Sequence, residues 1–158
     1  MTVPEWFQML QAVNPVVTWC LVVAGWAVVR HDNNKRENRK ELRGKLDVLI
    51  NDVRLLEEKA HDYYMKDSTH EDIPLLTLDI KRRQQSIEKR LAMLKKTNEG
   101  FQGTDESTAL AKTVTGGNFE ERTRKKIAAD NRKLLEISGA ALEFIEYLES
   151  EFETQKKL

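Results

Sequence analysis

The residues best placed to do chemistry are Lys112, Thr115, Gly116, Gly117 and Asn118, followed by Arg122 and Arg124. Glycines let backbone N–H groups approach an anion, and a helix opening after them adds the positive end of its dipole. Cations in the first turns of that helix would complete a site for phosphate. Arg82 and Arg83 would join it if the helices pack side by side. The same stretch is equally a stop–start connector in which Asn118 caps the next helix. His61 and His70, with Asp62, Glu71 and Asp72 nearby, match no metal-ligand spacing and are read as solvated. Ser–His–Asp order, a Cys–His pair, a Walker sequence and a zinc-protease helix are all absent. Neither an enzyme, a metal nor another cofactor is therefore expected.

A second set lies near the amino terminus. Gln11, Asn14, Thr18 and Gly25 share one helix face within an otherwise apolar run. Small and polar residues on one face suit helix–helix contact in lipid, while pore lining is the sharper alternative. Either implies self-association.

The elements that must position these residues are helical. Leu42, Leu46, Leu49, Val53, Leu56, Ala60 and Tyr63 alternate four and three apart, which predicts a helix over residues 34–65. A polar connection, 66–72, precedes Pro74, which is suited to open a second helix. That helix runs to about residue 96 with Leu76, Ile80, Ile87, Leu91 and Leu94 inward. Residues 97–117 lose the pattern, apart from a possible short helix at 106–114. The last helix is expected from Asn118, with a seam of Ile127, Asn131, Leu134, Ser138, Ala141, Ile145, Leu148 and Phe152. The fold class is all-α: a transmembrane helix followed by an oligomeric bundle of three main helices.

Residues 9–29 carry no charge, and as a helix these 21 residues would span about 30 Å, roughly one hydrocarbon core. Trp6 and Trp26 stand near its ends, where indoles favour the interface. Nothing basic precedes the run, so an anchor is expected and not a cleaved signal peptide. Residues 30–45 carry seven Lys or Arg against three Asp or Glu. The positive-inside rule then places the following domain in the cytoplasm and the amino terminus outside, in an inner-membrane protein. The resulting division is 1–30 anchor, 31–45 basic juxtamembrane segment and 46–158 ligand-binding domain. Over the whole chain 26 basic residues balance 26 acidic ones, so duplex nucleic acid is not an expected partner. The single cysteine, Cys20, excludes an internal disulfide.

One anchor, the basic run from His31 to Arg43 and a helical remainder with a glycine-rich loop give a layout with a known parallel. It resembles the membrane-anchored cyclic tetra-adenylate effectors of type III CRISPR antiviral defence. The resemblance implies a homotetramer that binds a cyclic oligoadenylate on its cytoplasmic face and disrupts the bilayer or opens a pore. Two other readings stand beside it. One is a non-enzymatic, membrane-tethered coiled-coil scaffold. The other is a phage inner-membrane spanin-like lysis protein, which needs the domain in the periplasm.

Overall fold

The structure, a computed structural model, describes residues 5–97 and 101–155, with the side chains of 5–16, 28, 32, 97 and 155 outside the described set. Four helices follow one another: α1 Glu5–Tyr64, α2 Ile73–Thr97, α3 Thr104–Thr115 and α4 Arg132–Gln155. No strand occurs among the described residues. The chain divides into two units, Met1–Glu41 and Leu42–Leu158, and α1 contributes to both.

In the first unit the described apolar side chains, including Trp19, Leu21, Val22, Val23, Trp26 and Val29, are all exposed. Arg30 stacks its guanidinium over the Trp26 ring at 5.1 Å. Among the described residues no helix is long and apolar enough to cross a membrane. Residues 9–16 and 28 of the expected span lie outside the described side chains, as do Gln11 and Asn14 of its polar face. Thr18 and Gly25 are described and exposed.

Among the described residues the second unit is a four-helix arrangement, with α3 where a possible short helix was expected at 106–114. Asp52 of α1 accepts hydrogen bonds from Ser86 (2.9 Å) and Arg90 (2.7 Å) of α2. Arg43 pairs with Glu149 of α4, and Glu57 with Ser138. Rising positions on α1 thus meet falling positions on α4, and the short connection over 65–72 turns α2 back along α1. Both are antiparallel to α1 and parallel to each other. Gln84 meets Ala111, and Lys95 meets Thr104, so α3 is antiparallel to α2 and completes an up–down–up–down bundle.

The seam expected on α1 is buried from Leu46 to Tyr63, with Leu42 packed at its edge and Ile50 and Tyr64 added to the core. All five inward residues expected on α2 are buried as well. The short helix is longer than expected and supplies Ser107, Leu110 and Val114 to the interior. It opens at Gly103, whose φ of +98° brings it against Tyr147 and Phe144.

The last helix departs most from expectation. It begins at Arg132, not at Asn118, and Asn131 caps it by accepting the N–H of Lys133 at 3.0 Å. Residues 119–127 instead cross the end of α1 as a strap. Ile127 N–H donates to Tyr64 O (3.1 Å), Glu120 N–H to Tyr63 Oη (2.9 Å), and Ser68 N–H to Arg124 O (3.0 Å). These bonds satisfy the strap and the α1 terminus together, at the expense of a helical continuation. The inward stripe of α4 is Leu134, Ile137, Ala141, Phe144 and Leu148. Asn131, Ser138, Ile145 and Phe152, expected in the seam, are only half-buried along its edge. Leu134, Ala141 and Leu148 of the expected seam are buried, and Ile137 and Phe144, with more apolar volume to bury, take the inward places expected of Ser138 and Ile145.

Candidate functional site

Helices α3 and α4 approach over Ala109, Gly139 and Ala140, whose small side chains leave an open groove of about 570 Å³. It is broadly open to solvent, so a ligand seated there would keep one side wet. Lys112, Gly116, Gly117 and Lys133 line it, with Glu136 and Glu143 farther along α4. Gly116 ends α3, where a Cβ would stand 2.5 Å from Lys112 O, and Gly117 has a φ of +71°. Lys133 Nζ donates to Thr113 O (2.6 Å) and Gly116 O (3.2 Å), and lies 5.4 Å from the Tyr64 ring. Tyr64 Oη donates to Val114 O at 2.8 Å. Burial lowers the Lys133 pKa, and the Glu136 carboxylate opposes that shift. An ammonium has three donors, so one N–H of Lys133 is left for a ligand.

The expected site is only partly assembled. Lys112, Gly116 and Gly117 meet at the groove. Thr115 turns its hydroxyl back to Ala111 O at 2.8 Å. Asn118 is exposed and opens no helix; its carbonyl accepts the Glu121 N–H. The glycines therefore close a helix C-terminus, whose carbonyls repel anions, and the expected helix N-terminus is absent there. Arg122 is exposed on the strap, where its carbonyl accepts Ser68 Oγ at 2.7 Å. Arg82 and Arg83 lie on α2 and line no part of the groove.

Arg124 is the clearest correction. It is 2% exposed, not a cation facing a ligand. Its guanidinium lies 4.2 Å from the Tyr63 ring centroid, and Nη1 donates to Lys66 O (2.8 Å) and Tyr64 O (3.4 Å). It caps the C-terminal end of α1, where the dipole favours a cation. Its Nε and Nη2 are buried without a hydrogen-bond partner. Residues 118–131 form no helix with solvated cations; the bonds of the strap to the end of α1 carry Arg124 inward.

One constellation escaped the sequence reading. Ser138 Oγ lies 2.5 Å from Glu57 Oε1 and 3.1 Å from His61 Nε2. The only signal for it is the four-residue spacing of Glu57 and His61. It lacks the relay of a serine nucleophile. Ser138 Oγ donates to Glu57 Oε1, and the role of His61 Nε2 toward the same hydroxyl follows its tautomer. The cluster joins α1 to α4. His70 Nδ1 accepts the Asp72 N–H at 3.2 Å, and no three His, Cys, Asp or Glu among the described residues are placed to share a metal.

Compared with known protein families, with curated proteins and with solved structures, the chain matches none.

Proposed function

We propose that the chain is a membrane-tethered, non-enzymatic effector in which a nucleotide second messenger occupies the α3–α4 groove. The groove is the observation that carries this reading. Lys112 and Lys133 supply the cations for a phosphate, Lys133 also covering the Thr113 and Gly116 carbonyls at the end of α3, and Glu136 and Glu143 suit the exocyclic amino group of adenine. Each charge-assisted bond contributes about 1.5–3 kcal/mol. A cyclic oligoadenylate presents both groups in every unit, which matches the ligand class implied by the layout. Residues 9–29 are the anchor in this reading, supported by their lack of charge and by the uncovered apolar surface from Val17 onward. The basic run over 30–45 places the helical unit on the cytoplasmic face. A ligand opens the membrane only if it prefers the open arrangement of the assembled anchors.

The test is calorimetry on the full chain in detergent with cyclic tetra-adenylate, linear oligoadenylate and adenosine monophosphate, paired with dye release from vesicles. Binding and ligand-dependent leakage are expected, and Lys112→Glu should abolish both while keeping helical content. Equal binding by the variant, or no binding by the parent, overturns the reading.

The scaffold alternative is favoured by a separate observation. Leu75 and Leu78 of α2 and Leu135 and Leu142 of α4 are exposed, so apolar surface remains uncovered on the bundle. The α1 seam from Leu46 to Tyr63 is buried within one chain and does not offer such a surface.

A further inference from the structure

Two exposed helix faces complement each other. On α2, Leu75 and Leu78 stand exposed at the N-terminal end, followed along the same face by Arg82, Lys89 and Lys96. These positions are separated by three, four and seven residues, which keeps them on one stripe. Arg82, Lys89 and Lys96 make no ion pair with a described residue. On α4, Leu135, Leu142 and Glu146 are exposed on one stripe, seven and four residues apart, and Glu146 lacks an ion pair among the described residues. Both faces read apolar first and charged second, with opposite signs.

We infer that these faces bind each other between copies of the chain, α2 of one copy against α4 of the next. The partner is a second copy because the charges are complementary and the polarity agrees. Within one bundle α2 and α4 are parallel, so two copies held the same way round can lay them side by side in parallel. Attachment through the segment before Leu42 would put every copy on the same side of one membrane and so bring neighbouring copies together. This last step rests on the anchor proposed above, whereas the complementarity does not. The register also agrees. Leu78 and Lys89 are eleven residues apart, as are Leu135 and Glu146, so setting Leu78 against Leu135 brings Lys89 to Glu146 about 16.5 Å along the axis. Such an interface is head-to-tail, and its repetition builds a ring or a row.

The test uses the full chain in detergent, with mass read by sedimentation. Arg82→Glu/Lys89→Glu makes both faces acidic, and Glu146→Lys makes both basic. Each variant alone should lose the oligomer that the parent forms. Mixing the two variants should restore it with alternating composition, because each supplies the face the other lacks. That rescue also excludes misfolding as the cause of the loss. A parent that is monomeric at high micromolar concentration overturns the proposal. So does unchanged association of either variant, or failure of the mixture to reassemble. Carbonate extraction of the parent from membranes separates the two claims. Extraction into the soluble fraction with intact charge-dependent assembly refutes the anchor alone, and membrane retention with charge-independent assembly refutes the interface alone.

Discussion

At the residue scale, Arg124 and Tyr64 tie the strap to the end of α1. Arg124 holds Lys66 O and Tyr64 O, and Tyr64 Oη holds Val114 O. Arg124→Met preserves much of the volume but leaves Lys66 O without that donor. We expect a loss of about 1–3 kcal/mol, read as a lower Tm in thermal denaturation followed by circular dichroism. Burial pushes the Tyr64 phenol up from 10.0 to about 12, with Tyr63 adding to the shift and Arg124 opposing it. The folded chain therefore keeps a proton that the unfolded chain releases. This contribution to stability is complete below pH 10 and declines as the pH rises toward about 12. Ultraviolet titration should show a phenolate step near pH 12 that disappears in Tyr64→Phe.

At the element scale, two glycines of α3 and α4 predict opposite outcomes. Gly103 has a φ of +98°, and a Cβ there would stand 3.0 Å from the Tyr147 ring. Gly103→Ala should cost about 1–3 kcal/mol, because both the backbone and the ring must move. Gly139 lies inside α4 with nothing within 4 Å of a built Cβ. Gly139→Ala should stabilise the bundle by about 0.5–1 kcal/mol through helix propensity. The helix start is tested separately: Asn131→Ala removes the cap on Lys133 N–H and should cost about 1 kcal/mol. Chemical denaturation of the three variants with an unchanged m-value would check all three signs.

At the scale of the whole molecule, the groove and the proposed α4 face lie on one helix, where Glu143 of the groove and Glu146 of the face are one turn apart. Occupancy of the groove would therefore bear on assembly, and by linkage assembly would bear on affinity equally. Cyclic tetra-adenylate should shift the sedimentation profile of the parent, a measurement that leaves the membrane aside. Orientation has its own test. Replacing the seven basic residues of 30–45 by glutamine should remove the uniform topology, read as protease access to a C-terminal tag on intact spheroplasts.

Local periodicity was enough to establish the all-helical class, the inward residues of α2 and most of the seam on α1. Each is a spacing of three and four along one helix, and burying that face is the dominant gain in packing it. The existence of a short helix between Gly103 and Gly116 was also legible from its flanking glycines. Tertiary structure decided the rest. Whether residues 118–131 continue a helix depends on hydrogen bonds to Tyr63, Tyr64 and Asp67, some sixty positions earlier in the chain. Whether Ile137 and Phe144 or Ser138 and Ile145 take the inward places on α4 depends on which neighbours can cover them. Of the expected ligand residues, Lys112, Gly116 and Gly117 came together because a local turn holds them. Arg124 was drawn inside because α1 ends beneath it, and Ser138 meets Glu57 across 81 positions. Pairings between distant elements leave no period in the sequence, since they are set by how the elements pack.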